Sequence, residues 1–223
     1  MRECEPPFFE PCDAPPMLTA GEIHVCWLRA HAPFDHRSVA AGGRSVLERL
    51  LCRYAGLAAP PPIARGAHGK PFAPSLPGLD FNLSHSGGDV LLAFALAQPL
   101  GIDLEHADRR LRVDNLAERF FAAEEAAALA HLPDGSRRGA FLQLWTAKEA
   151  VLKALGEGIG FGLDRLAFAL SPNGRAGALA RIAPEAGEVA QWRVRRLDPA
   201  PGLFGALAWR GPERRVRCFL LAG

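Results

Sequence analysis

The chain has little of what would tie it to an oxidising or membrane setting. Its five cysteines, at 4, 12, 26, 52 and 218, are an odd set with no C-x-x-C pair. That spacing suggests neither a disulfide framework nor a zinc cluster, and a reducing cytoplasm is the simplest home. Net charge is nearly absent: 26 basic against 24 acidic residues leave +2, too balanced for bulk attraction to nucleic acid or an anionic membrane. Long apolar runs are missing too, and the most apolar stretch, Val90 to Ala97, is too short to cross a bilayer as a helix. The opening Met-Arg-Glu-Cys-Glu-Pro-Pro carries acids and prolines where a signal peptide needs a basic start and an apolar core.

Proline is present, and it punctuates the chain. Five prolines in residues 1–20 predict an irregular leader lying on the surface, and six more between Ala58 and Pro77 predict a long ordered loop. Between them, Ile23, Val25 and Trp27 alternate as a strand, and Leu47, Leu50, Leu51 and Tyr54 mark a helix over 37–54. Strands follow at 79–86 and 90–97, then short helices at 115–121 and 124–131 and a long helix over 137–155. Four strand patterns close the chain, around 166–170, 192–194, 203–209 and 216–219. Strands gathered after helices in each half predict an α+β fold. With 223 residues, the chain can fill either one large core or two lobes.

The most informative stretch is Leu100-Gly-Ile-Asp-Leu-Glu105. Side chains alternate along a strand, so Leu100, Ile102 and Leu104 face a core while Asp103 and Glu105 share the opposite face. Two carboxylates side by side repel, and a hard divalent cation, Mg²⁺ or Mn²⁺, makes the pair favourable; a solvated strand edge is the plainer alternative. On the long helix, Glu149 and Lys153 lie one turn apart and off the apolar stripe, which a surface salt bridge would also explain. Trp145 reads as packing. The run Gly-Glu-Gly-Ile-Gly-Phe-Gly over 156–162 is not a dinucleotide fingerprint, because it follows a helix rather than a strand. A serine hydrolase built on Ser84-His85 ranks last among the readings, since neighbouring strand residues point apart and no nucleophile elbow surrounds them.

Taken in order, Gly69-Lys70-Pro71, Asn82-Leu-Ser84-His85-Ser86, Gly101-Ile-Asp103-Leu-Glu105 and Trp145-Thr-Ala-Lys148-Glu149-Ala-Val-Leu-Lys153 resemble the 4'-phosphopantetheinyl transferases, specifically the Sfp-type. The resemblance covers roughly Arg37 to Leu170. It implies a monomer of two pseudo-twofold-related α/β lobes with the active site between them: a leader over 1–20, an N-terminal lobe over 21–102, and a C-terminal lobe over 103–223 carrying most of the metal site. It implies transfer of the phosphopantetheine arm of coenzyme A to a serine of an apo acyl or peptidyl carrier protein, releasing 3',5'-ADP. By the same resemblance, Asp103, Glu105 and Glu149 are the metal ligands, and Glu149 takes the serine proton, with Glu125 or a water at the metal as alternatives. Lys153 serves the pyrophosphate. Arg37, Arg44, Lys70, Pro71, Ser84 and His85 are the candidates for holding coenzyme A, its 3'-phosphate above all. A docking face for the carrier is expected around Leu155, Ile159 and Phe161. The competing reading is a Mg²⁺-dependent phosphohydrolase that uses the same carboxylates on a coenzyme A-like pyrophosphate, with water as nucleophile.

Overall fold

The computed structural model describes residues 7–29, 36–109 and 111–222. Its organisation follows from one strand that is apolar on both faces. In β2 (Glu22–Arg29), Ile23, Val25 and Trp27 point one way and Cys26 and Leu28 the other, and all are buried. Such a strand must be covered on both sides. It lies inside a five-stranded sheet ordered β1-β12-β2-β6-β5, built from β1 (Glu10–Cys12), β12 (Arg215–Leu221), β6 (Asp89–Leu96) and β5 (Leu79–Ser86).

One face of this sheet is covered by α1 (His36–Ala55), whose Val46, Leu47, Leu50, Leu51 and Tyr54 pack with Cys26, Phe81, Leu92 and Phe94. The other face meets a second sheet, ordered β10-β11-β7, of β10 (Trp192–Leu197), β11 (Leu203–Arg210) and β7 (Leu100–His106). Here Leu100, Ile102 and Leu104 interdigitate with Val25, Trp27, Leu91 and Leu207. The alternation read from the sequence therefore holds, and Gly101, Asp103 and Glu105 are left on the far face of β7. That face is covered by α4 (Asp134–Leu155), packed with Ala206 and Ala208 of β11. The layers run helix, sheet, sheet, helix: an α+β arrangement.

Gly101 explains how closely α4 sits. A Cβ there would lie 2.1 Å from the Ala150 carbonyl oxygen and 2.3 Å from the Ala154 nitrogen. A strand glycine here lets a helix backbone touch a strand backbone.

Several expectations are corrected. The proline-rich leader is not wholly irregular: β1 pairs in parallel with β12, Glu10 opposite Phe219. As an edge strand, β1 needs donors along one side only, so Pro11 is tolerated. The loop over 58–77 contains a two-stranded ladder, β3 (Ala64–Arg65) against β4 (Pro71–Phe72), closed around Gly69 at φ +83°. The three predicted helices after β7 appear as α2 (Val113–Phe120), α3 (Ala123–Ala130) and α4. The glycine run forms 3₁₀ turns at Ile159–Phe161 and Leu163–Arg165. Between β8 (Leu166–Leu170) and β10 lies an unforeseen strand, β9 (Ala176–Ile182), paired with β8. The last strand, β12, lies between β1 and β2, so both ends of the described chain meet in the first sheet.

Candidate active site

Two strands from different sheets meet beside α4, and side chains rather than a backbone ladder join them. On β5 the alternate residues Asn82, Ser84 and Ser86 project toward β7. Asn82 Oδ1 accepts from the Ile102 amide at 2.9 Å, and Ser84 Oγ donates to Asp103 Oδ1 at 2.8 Å. Ser86 Oγ donates to Glu105 Oε2 at 3.2 Å and accepts from the His106 amide at 3.0 Å. Period-two spacing on β5 thus matches period-two spacing on β7, and both carboxylates are held in place. Asn82 and Ser86 were noted in the sequence only as part of the Asn82-Leu-Ser84-His85-Ser86 motif and had been given no role at the site; their spacing with Ser84 was the available signal.

From α4, Lys153 reaches the same point: its Nζ lies 2.6 Å from Asp103 Oδ1 and 3.1 Å from Ser84 Oγ. Glu149, one turn earlier, has its Oε1 buried with no partner, and Asp103 Oδ2 is buried and unpartnered as well. Burial first, then the negative charge of Asp103, pushes the Glu149 carboxyl up to about 7 despite the opposing pull of Lys153. Glu105 is raised by burial and by Asp103, and Arg109 pairs with it. Three acids from two elements therefore sense one another's charge, and one oxygen on each of two of them is unclaimed.

These are hard oxygen donors, and buried anionic oxygens without partners suit a hard divalent cation. As they stand, no group of three His, Cys, Asp or Glu among the described residues is disposed to enclose an ion. Lys153 sits on Asp103 and Arg109 on Glu105, so protein cations take up part of the negative charge. The donor set fits such an ion through the oxygens left over.

The other candidates are spread more widely. Lys70 Nζ donates to the Leu100 carbonyl at 2.8 Å, at the start of β7, and burial lowers its pKa to about 8. Pro71 lies in β4. Arg44 is exposed and pairs with Glu48 at 2.8 Å, and His85 is exposed. Arg37 belongs to α1, and its side chain lies outside the described residues.

Glu125 is no part of the cluster. Its Oε2 takes Lys148 Nζ at 2.6 Å and the Ala122 amide at 3.2 Å, and its Oε1 takes the Phe168 amide at 2.8 Å. Lys148, fully buried, also donates to the Leu163 and Leu166 carbonyls and lies over the Phe121 ring. Every charge in this pair is answered, so it ties α3, α4 and β8 together. The Trp145 ring packs with Phe120, Phe121 and Phe141, as a core-edge aromatic does.

The segment from 99 to 198, which carries Asp103, Glu105, Glu149 and Lys153, matches the profile of the 4'-phosphopantetheinyl transferase superfamily. This segment, somewhat under half of the chain, is thus similar to members of that superfamily. It is 39% identical over 145 residues to the 4'-phosphopantetheinyl transferase HetI of Nostoc sp., covering 62% of this chain and 60% of HetI. It is 36% identical over 108 residues to the 4'-phosphopantetheinyl transferase Sfp of Bacillus subtilis, covering 48% of this chain and 47% of Sfp. With the psf-1 transferase of Bacillus pumilus the identity is 41% over 110 residues, 49% of this chain and 46% of psf-1. The matched region thus spans between about half and three-fifths of these curated relatives. A solved holo-[acyl-carrier-protein] synthase of Thermotoga maritima aligns with a TM-score of 0.41 at 23% identity, over 51% of this chain and 62% of that one.

Proposed function

We propose that this chain transfers the 4'-phosphopantetheine arm of coenzyme A to a serine hydroxyl of an apo acyl or peptidyl carrier protein, giving holo-carrier and 3',5'-ADP. The observation that carries the reading is the pair of buried, unclaimed oxygens, Asp103 Oδ2 and Glu149 Oε1, on side chains that sense each other's charge and that of Lys153.

Asp103, Glu105 and Glu149 would hold a Mg²⁺ or Mn²⁺ ion, which when bound supplies charge neutralisation for a pyrophosphate and its leaving group. Lys153 has two partners for its three protons, Asp103 and Ser84, so one N–H is left to meet a phosphate oxygen and stabilise the departing nucleotide. Glu149 is assigned the serine proton; in the ion-free site burial and the charge of Asp103 raise its carboxyl to about 7. Glu125, with both oxygens occupied, is left to brace the helix. Ser84, Ser86 and Asn82 keep the carboxylates aligned on β7. Lys70, Pro71, Ser84, Arg44, Arg37 and His85 are assigned to coenzyme A, the cations among them to its 3'-phosphate. The half-buried Leu155 and Phe161 are assigned to carrier docking, while the Ile159 side chain lies outside the described residues. The lobes over 21–102 and 103–223, the single-chain state and the cytoplasmic setting belong to the same reading. The free cysteines 12, 26, 52 and 218 suit a reducing compartment, and no helix among the described residues is long and apolar enough to cross a membrane.

The test is nucleotide product analysis with coenzyme A and Mg²⁺, with and without apo-carrier. Release of 3',5'-ADP that requires the carrier, and is lost in Asp103→Asn and Glu149→Gln, supports the proposal. Release without a carrier replaces it with a phosphohydrolase.

A further inference from the structure

Arg109 was not among the residues singled out from the sequence, and nothing in the proposed chemistry uses it. It follows Glu105 by four positions, and its guanidinium pairs with Glu105 Oε1 while Ser86 takes the other oxygen. The side chain is about half exposed, whereas Glu105 is 10% exposed, so an outer cation is set against an inner anion. Its backbone is not left to wander. Arg138, near the start of α4, donates through Nε to the Ala107 carbonyl at 2.6 Å and through a terminal nitrogen to the Arg109 carbonyl. The loop after β7 is therefore clasped to α4, with Arg109 aimed back at the acids.

The ledger of charge around the site is nearly closed without any ion. Asp103, Glu105 and Glu149 stand against Lys153 and Arg109, with Lys153 on Asp103 and Arg109 on Glu105. Every carboxylate oxygen a protein cation holds is one an incoming ion must compete for. Resting on the metal reading of the same site, we propose that Arg109 is an internal counter-ion that holds Glu105 in the ion-free protein and is displaced when a divalent cation binds, so that it sets how tightly the ion is held. Lys153 cannot play this part alone, since it sits on Asp103 and leaves Glu105 Oε1 to Arg109.

The experiment is Mn²⁺ titration of the full chain by calorimetry without coenzyme A, for the parent, Arg109→Gln and Arg109→Lys, with thermal melts in chelator and in saturating Mn²⁺. For a half-exposed ion pair, removing the competitor should tighten Mn²⁺ binding by about two- to fivefold, and Arg109→Lys should stay near the parent. In chelator, Arg109→Gln should melt lower than the parent, and Mn²⁺ should raise its Tm by more than it raises the parent's. A role confined to holding the loop would lower both melts equally and leave Mn²⁺ affinity unmoved. Unchanged or weaker Mn²⁺ binding in Arg109→Gln, with the parent binding the ion, overturns this inference and leaves the metal reading standing. A parent that binds no Mn²⁺ overturns both.

Discussion

Replacing Gly101 by alanine tests how the strand and helix that carry the acids are held together. The new Cβ would stand 2.1 Å from the Ala150 carbonyl oxygen, 2.3 Å from the Ala154 nitrogen and 2.8 Å from the Lys153 carbonyl carbon, all backbone atoms of α4. No rotamer relieves such contacts. To reach the 3.4 Å at which ordinary contact begins, α4 and β7 must part by roughly 1.3 Å in an interior packed to crystal-like density. Overpacking costs about 1–3 kcal/mol when side chains can adjust, and rigid backbone places this change at about 3 kcal/mol or beyond. For a chain of this size that is a fall in Tm of about 6–12 °C. The same displacement would stretch the 2.6 Å contact of Lys153 with Asp103 beyond hydrogen-bonding range and carry Glu149 outward. A misplacement of about 1 Å in a catalytic constellation costs about 10²-fold, so kcat should fall by about that factor. Scanning calorimetry and carrier-modification rates would be compared with Gly78→Ala and Gly135→Ala, where an added Cβ meets nothing within 4 Å. Gly135→Ala, in the first turn of α4, should leave stability unchanged or raise it by up to about 1 kcal/mol. A Gly101→Ala protein that melts within 2 °C of the parent, to take a limit of about 0.5–1 kcal/mol, would refute the close backbone contact.

Other expectations follow from the same contacts. The folded protein keeps a proton on Glu149 up to about 7, whereas the unfolded chain loses it near the ordinary 4.5. Ionised Glu149 therefore destabilises the ion-free fold, by nothing below 4.5 and by up to about 3 kcal/mol above 7. In chelator, Glu149→Gln should be more stable than the parent at pH 8 and equal to it at pH 4, and urea melts across that range would show it. Lys148→Met strands buried Glu125 and should cost about 3–5 kcal/mol, with Glu125→Gln added to it recovering most of the loss; denaturant midpoints of the two variants check this. Ser86→Ala removes one contact to Glu105 and one to the His106 amide, and should cost about 1–2 kcal/mol in chemical melts while lowering kcat more than it raises the KM for coenzyme A.

What was legible in the sequence was what local periodicity encodes. Leu100, Ile102 and Leu104 against Asp103 and Glu105 is a pattern of period two, and the structure places the two sets on opposite faces of β7. Helix α1 was marked by apolar spacing, and α4 by its stripe and its glycine end. Strand β9 escaped because Ala176-Gly-Ala-Leu-Ala-Arg-Ile carries few β-branched or aromatic residues and reads as small and mixed. Strand β1 escaped because Pro11 argues against a strand anywhere but at an edge, and its partner lies some two hundred residues away in the chain. Within the site, Asp103, Glu149 and Lys153 could be named one by one, but nothing local says that Asn82, Ser84 and Ser86 of one sheet bond to another. Arg109 was hidden for a similar reason, since a charged residue four positions after a strand acid is ordinary until Arg138 is seen gripping its loop.

Intact-mass measurement of an apo-carrier protein incubated with this chain and coenzyme A, once with Mg²⁺ and once with chelator, bears most directly on the whole account. The expected result is a gain of one phosphopantetheine per carrier with Mg²⁺, none with chelator, and none when Asp103→Asn or Glu149→Gln replaces the parent. Carriers left unmodified across fatty-acid, polyketide and nonribosomal types, or modified equally by the two variants, would contradict it.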